Sequence, residues 1–246
     1  MTESTAKNGV VCLYNGDEDL RDGTGKETGY KIKDFWAWSS SDLVNNTLRG
    51  VYAEFIVATA LGIDLSKKPR QDWDAYDLDY GVCKIEVKAS GRVQAWHREP
   101  DISDLPIDIT NEELESFRKR IKKSKAQFTI RKTRKFDRIR DRFEEDAKRH
   151  ADIYVFCLHK PEKEEEVEML RSDQWEFYII PTRLLNELDK KCDENSKGQQ
   201  TIGLPQLKRL MGKVPGFEEF CNKDGAVGYV GYDKLKDAVD CVLKFL

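Results

Sequence analysis

The sequence predicts an α/β fold in which a mixed central sheet is flanked by helices. A long helical pattern over residues 41–62 precedes two strands that alternate apolar and polar residues over 72–90. A continuous apolar segment at 151–159 is typical of a strand buried on both faces, and another strand follows at 174–182. An amphipathic helix over 232–245 closes the chain. Because helices and strands are interspersed in this way, we expect helices packed on one mixed sheet.

The length and composition of the chain suit one main domain. Its 246 residues are enough for a single α/β domain, and its 39% apolar content argues against extensive disorder. Residues 1–31 are rich in Gly, Asp, Glu and Lys, so we expect a loosely ordered N-terminal segment. Residues 32–246 are then predicted to form one domain with a basic helical insertion at about 110–150.

Cysteine usage and hydropathy exclude several classes of protein. Six cysteines are scattered and no C-x-x-C pair occurs, which argues against a zinc knuckle or a thioredoxin-like site. The N-terminal residues MTESTAKNGV do not form a signal peptide, and no apolar run reaches the roughly 18 residues that span a bilayer. We therefore expect a cytoplasmic protein with free thiols and no membrane contact.

The first long helix carries one acidic residue in an otherwise apolar stretch. Apolar residues recur at three-to-four spacing over residues 41–62, Ser41 or Asp42 can cap the start, and Gly62 can end the helix. Glu54 lies in the middle of this pattern. It either faces solvent beside the apolar stripe or has a partner, for which a cation or Lys88 is the candidate, because an unpaired carboxylate among apolar neighbours is costly.

The two strands that follow form a predicted hairpin rich in acids. If its loop holds two residues, Tyr80-Gly81, then Asp77 lies on the same face as Glu86. The two residues are then diagonal neighbours with backbones roughly 7–8 Å apart. A loop with an odd number of residues would instead select Asp72 and Asp74.

Asp77, Glu86 and Lys88 together have the chemistry of a hydrolytic site. Two carboxylates can hold a hard divalent cation through oxygen ligands. Lys88 projects beside Glu86, where it can orient a water or stabilise developing negative charge. Such a site suits phosphodiester hydrolysis. The alternative is that Glu86 and Lys88 are only the solvated face of an amphipathic strand.

These residues resemble a known superfamily. The segment "AEF" around Glu54, then Asp77, then "IEVKAS" is similar to the PD-(D/E)XK, restriction-endonuclease-like nucleases. The stretch from residue 34 to residue 96 also resembles a group of uncharacterised bacterial proteins that are usually placed with those nucleases. The resemblance implies a restriction-endonuclease-like core and a nuclease-like domain. It further implies a magnesium-dependent endonuclease that cuts nucleic acid, most often DNA, with restriction or phage defence as its setting.

Carried over residue by residue, the resemblance assigns four catalytic positions. Glu54 matches the helix acid, Asp77 the hairpin aspartate, Glu86 the strand acid and Lys88 the lysine, and Asp77 and Glu86 are the implied metal ligands. One departure is that Tyr76, rather than proline, precedes the hairpin aspartate. That departure leaves Asp74 and Asp79 open as alternatives to Asp77.

A basic region predicts contact with a polyanion. From residue 118 to residue 149 there are 15 Lys/Arg against 5 Asp/Glu. A capped helix over 110–123, a strand over 127–131 and a charged helix over 136–150 are predicted here. The candidate residues for binding DNA phosphates are Arg131, Lys132, Arg134 and Lys135.

Two further interpretations follow from the basic region and from the single site. The basic residues equally suit a pair of exposed helices, or a catalytically inactive nucleic-acid-binding module with the same fold. One site cuts one strand, so a double-strand cut would require a homodimer. The sequence leaves open whether the substrate is DNA or RNA.

Overall fold

The structure is a computed structural model of the chain. It describes residues 13–67, 69–70, 74–95, 105–121, 126–137, 139–190, 192, 197–220 and 228–246.

The described residues hold short strands and helices in alternation. The strands are β1 (Asp19–Arg21), β2 (Glu27–Lys31), β3 (Leu78–Tyr80), β4 (Cys83–Gly91), β5 (Gln127–Thr129), β6 (Phe136–Asp137), β7 (Arg142–Phe143), β8 (Ile153–His159), β9 (Trp175–Pro181) and β10 (Thr201–Gly203). The helices are α1 (Ile32–Ser40), α2 (Asn46–Leu61), α3 (Asn111–Ile121), α4 (Thr182–Asp189), α5 (Leu204–Met211) and α6 (Leu235–Leu243).

A mixed four-stranded sheet forms the centre of the fold. Its strand order is β3-β4-β8-β9, in which only β4 and β8 run parallel. Every residue of β8 is buried, as expected for the strand that is covered on both faces. Helix α2 packs on β4, helices α4, α5 and α6 pack on β9, and α6 also contacts α2. The predicted mixed sheet flanked by helices is therefore confirmed.

Helix α2 starts later than predicted and ends where predicted. Asn45 is its N-cap, and the Asn45 side chain accepts a hydrogen bond from Thr47 N at 2.9 Å. Ser41 and Asp42 lie in a turn before the helix and do not cap it. Gly62 ends the helix in the left-handed conformation with φ of 71°, which its missing Cβ permits.

The hairpin turn lies one residue later than predicted. The two loop residues are Gly81 and Val82, and Tyr80 pairs with Cys83. Gly81 has φ of 62°, as the first loop position of a two-residue hairpin requires. The register moves by two residues, so each side chain keeps its predicted face. Asp77 consequently remains on the side of Glu86.

The predicted charged helix over residues 136–150 is wrong. Strands β6 and β7 form a small hairpin, in which the rings of Phe136 and Phe143 meet at 5.1 Å. Asp137 accepts hydrogen bonds from the backbone of Ile139 and Arg140, which favours a turn over a helix. Within the described residues of the basic insertion, α3 is the helix, and its predicted start at Thr110 is confirmed by a capping box with Glu113.

The N-terminal segment holds more regular structure than predicted. Residues 1–12 lie outside the described residues, but β1 and β2 pair within the segment predicted to be loosely ordered. Helix α1 follows directly and has no buried residue. Among the described residues, no helix is long and apolar enough to cross a membrane.

Candidate active site

Glu86 and Lys88 lie on the part of β4 that extends beyond β3. Among the described residues, β3 pairs only with residues 83–85 of β4, so the part of β4 that carries Glu86 and Lys88 extends beyond β3. The Lys88 ammonium donates to Glu86 Oε1 at 2.5 Å. The Lys88 side chain is 32% exposed and the Glu86 side chain is 17% exposed. Glu86 is therefore largely buried and paired, which contradicts a freely solvated strand face.

Asp77 forms two hydrogen bonds with this part of β4. Its backbone N–H donates to Ile85 O at 3.0 Å, and its Oδ2 accepts from the N–H of Val87 at 2.7 Å. Val87 lies between Glu86 and Lys88 in the strand, so the bond brings the Asp77 carboxylate to the segment that carries both.

The alternatives to Asp77 are placed differently. Asp74 and Asp79 are exposed, and Asp72 lies outside the described residues. The geometry therefore favours Asp77 among the acids of the hairpin that the structure describes.

Glu54 points into the molecule from α2. Its side chain is 11% exposed, so it does not lie on a solvent-facing stripe. Both carboxylate oxygens accept from one guanidinium, Arg70 Nε at 2.5 Å and Arg70 Nη2 at 2.7 Å. The sequence suggests Lys88 or a cation as the partner of Glu54. The hydrogen-bonding partner is instead Arg70, which no sequence pattern singles out.

The three carboxylates affect one another's protonation. Burial raises the pKa of Glu86, and the charges of Asp77 and Glu54 raise it further against the effect of Lys88. Burial also raises the pKa of Asp77, although the Val87 amide and the Lys88 charge oppose the change. The pKa of Glu54 is raised by burial and by the charge of Asp77. The three acids are therefore close enough to repel, and the site has a surplus of negative charge.

The donor set fits a hard divalent cation. Asp77 and Glu86 offer carboxylate oxygens, and a bound cation would relieve their repulsion. Among the described residues, no three His, Cys, Asp or Glu side chains are already gathered as a metal site. Two carboxylates suffice for Mg²⁺, which completes its shell with waters and substrate phosphate oxygens.

A cleft leads to the site. It encloses roughly 310 Å³ between α2 and the hairpin and is lined by Glu54, Arg70 and Asp77 together with the apolar side chains of Phe55 and Tyr76. Ligands can therefore reach two of the three acids from solvent.

The predicted DNA-binding residues follow strand β5 in the chain, and β5 covers the Glu86–Lys88 face of the sheet. Phe128 of β5 packs edge-on against Phe156 at 5.3 Å, and Phe156 is the register partner of Lys88. Partners in register share a face of the sheet. The residues that follow are all exposed: Arg131, Lys132, Arg134 and Lys135.

Lys132 differs from the other three basic residues. Its ammonium lies 3.0 Å from Asp189 Oδ2, so it is engaged within the protein. Arg131, Arg134 and Lys135 remain the stronger candidates for contact with a polyanion.

The chain matches no protein-family model, no curated protein and no solved structure. The relation to the PD-(D/E)XK nucleases therefore stays a resemblance, carried by a few residues and by the geometry described above.

Proposed function

We propose that the protein is a metal-dependent endonuclease with a restriction-endonuclease-like core, which hydrolyses phosphodiester bonds of DNA. The observation that carries the proposal is the hydrogen bond from Val87 N to Asp77 Oδ2 at 2.7 Å. This bond holds an aspartate of the hairpin beside the strand that carries Glu86 and Lys88. The order of elements adds support, because a helix supplies Glu54, the hairpin Asp77 and the next strand the E-x-K residues.

Three residues of the site, Asp77, Glu86 and Lys88, have defined roles in the proposal. Asp77 and Glu86 would hold Mg²⁺ or Mn²⁺ through their carboxylates. The bound cation supplies polarisation of the phosphoryl oxygen and a water of lowered pKa. Lys88, fixed by Glu86, orients that water and places positive charge where negative charge develops on the phosphate.

Exposed basic residues near the site favour a nucleic acid as the substrate. Arg131, Arg134 and Lys135 are exposed and lie next to the strand that covers the Glu86–Lys88 face. Lys and Arg contacts to phosphates position a nucleic acid without reading its sequence. A double-strand cut requires two such sites, which we assign to a two-fold homodimer.

The test is cleavage of supercoiled plasmid DNA by the purified chain with Mg²⁺ or Mn²⁺. We expect nicked and linear products that disappear when the metal is chelated. Lys88→Ala and Glu86→Gln should each reduce the rate at least about 100-fold, the loss typical of removing one electrostatic contact to the transition state. A single-stranded RNA substrate in parallel decides between DNA and RNA.

Lys84→Ala is the matched control. Lys84 lies on the same strand and the same face as Lys88, but it is exposed and near Tyr76. The Lys84→Ala protein should cut DNA at the wild-type rate. Cleavage that survives both Lys88→Ala and Glu86→Gln would contradict the proposal.

The second candidate function is an inactive nucleic-acid-binding module with the same fold. The exposed basic residues favour it, because they bind phosphates whether or not the acids act. Salt-dependent DNA binding without cleavage in any divalent metal would establish this alternative.

A further inference from the structure

Arg70 is the closest partner that the structure gives to the helix acid of the site. Arg70 Nε and Nη2 donate to the two oxygens of Glu54 at 2.5 and 2.7 Å. A two-bonded guanidinium–carboxylate pair is planar and directional, so it fixes the plane of the carboxylate as well as its charge. The orientation of Glu54 therefore depends on Arg70.

The burial of the two partners is unequal. The Glu54 side chain is 11% exposed and that of Arg70 is 36% exposed. Both residues line the cleft, Glu54 from the side of α2 and Arg70 from the segment that follows it. A buried carboxylate without a partner is costly, so the loss of Arg70 would leave Glu54 uncompensated.

Lys88 does not orient the Glu54 carboxylate. Its ammonium donates to Glu86 Oε1, the acid on its own strand. The two cations of the site that the structure describes thus hydrogen-bond to different acids, Lys88 to Glu86 and Arg70 to Glu54, although the charges of both also act on Asp77.

We propose that Arg70 is a positioning residue of the active site, which acts by holding the Glu54 carboxylate in place. The inference rests on the proposed function and adds one residue to its machinery. Arg70 comes from the segment between α2 and β3, so it also ties the helix that carries Glu54 to the approach of the hairpin that carries Asp77.

The test is a cycle of four full-length proteins: wild type, Arg70→Gln, Glu54→Gln and the double variant. Arg70→Gln should lower kcat by about 100-fold with KM nearly unchanged, because a misplaced catalytic group costs about that much. In the Glu54→Gln background the same substitution should cause a much smaller loss, because the effect that passes through Glu54 is already gone while the Arg70 charge still acts on Asp77. Arg70→Lys, which keeps the charge, should recover part of kcat.

Arg92→Gln is the matched control. Arg92 donates to Glu162 at 2.7 Å, and its side chain is 38% exposed, close to the exposure of Arg70. Its loss should leave kcat unchanged. Equal kcat losses from Arg70→Gln in both backgrounds, or a rise in KM as the main effect, would assign Arg70 to the substrate and overturn the inference.

A second measurement needs neither metal nor DNA. Arg70→Gln should lower the urea midpoint of unfolding in the wild-type background and lower it distinctly less in the Glu54→Gln background. Equal shifts in both backgrounds overturn the inference. A wild-type chain that never cuts DNA contradicts the proposed function, and the unfolding cycle still decides whether Arg70 holds Glu54.

Discussion

Two carboxylates of similar side-chain exposure, Asp189 and Glu54, have pKa values shifted in opposite directions. Their side chains are 12% and 11% exposed. Asp189 accepts from Arg149 at 2.7 Å and from the backbone of Gln199 at 3.0 Å, and Lys132 lies 3.0 Å away. These donors lower the pKa of Asp189 to about 2 against the effect of burial. Glu54 has one guanidinium and two neighbouring acids, and its pKa is raised.

The deeper position of Glu54 and the ratio of donors to acids together explain the opposite pKa shifts. Around Asp189, two cations and an amide serve one carboxylate, so the charge is fully compensated and the cluster stabilises the fold. In the candidate site, three carboxylates share the two cations that the structure describes, so burial and repulsion prevail. Perturbed acids in a cleft are a mark of functional sites, and a divalent cation would restore the balance there.

Asp189→Asn should therefore be the most destabilising single substitution in either cluster. It leaves the guanidinium of Arg149, which is 1% exposed, without its carboxylate. Breaking a buried pair in this way costs about 3 kcal/mol or more of unfolding free energy. Urea unfolding measures the loss. Asp173→Asn is the control, since Asp173 pairs with Arg171 at the surface with 64% exposure and should lose less than about 1 kcal/mol.

A divalent cation should stabilise the candidate site. At about one hundred times its dissociation constant, a ligand that binds only the folded chain adds about 2.7 kcal/mol. Thermal unfolding with and without Mn²⁺ should show this rise for the wild type and for Asp173→Asn. Asp77→Asn and Glu86→Gln should show little of it. Equal shifts in all four proteins would place the cation elsewhere.

Asp77→Asn should stabilise the metal-free protein. The amide keeps an oxygen that can accept from Val87 N, and the substitution removes one of the repelling charges. We expect a gain of about 1 kcal/mol, within the range of stabilising changes at functional sites, together with loss of cleavage. Asp79→Asn on the exposed side of β3 should change neither quantity. A less stable Asp77→Asn protein would show that the charge is compensated.

The pH dependence of the two clusters should have opposite signs. The pKa of Asp189 lies at about 2, below its ordinary 3.8, so its contribution is present above about pH 4 and is lost as the pH falls toward 2. The pKa of Asp77 lies above its ordinary 3.8, so its charge destabilises the folded chain as the pH rises through that raised value.

Free energies of unfolding measured across this range check both signs. The deficit of Asp189→Asn relative to the wild type should shrink below pH 4. The advantage of Asp77→Asn should grow from about pH 4 upward. Slopes of the same sign would remove the distinction between the two clusters.

Local signals in the sequence predict much of the candidate site. The alternation over β4, the end of α2 at Gly62 and the side of the sheet on which Asp77 lies depend on neighbouring residues only. The displaced turn changes the register by an even number, so Asp77 keeps its face. Phe136, Ile139 and Phe143 show the limit, because their spacing fits a helix while the chain forms a hairpin.

Long-range partners could not be predicted. Arg149 and Asp189 are 40 residues apart, and Arg70 reaches Glu54 across 16 residues of irregular spacing. No sequence periodicity or motif marks either arginine as the partner of its acid. Only the tertiary fold brings the two residues of each pair together. The sequence groups Lys132 with the basic residues, whereas the fold pairs it with Asp189.

Substitutions of the basic residues should have the smallest effects among these predictions. Arg134→Gln and Lys135→Gln should each weaken DNA binding a few-fold and reduce the salt slope by about 1, without changing stability. Lys132→Gln should behave in the reverse way, because Lys132 belongs to the Asp189 cluster: a lower urea midpoint and a nearly unchanged salt slope. Binding titrations at several salt concentrations, beside urea unfolding, measure both. If Lys132→Gln changed the salt slope as much as Lys135→Gln does, the Asp189 cluster would share in DNA binding, and the separation of a structural from a functional charge cluster would fail.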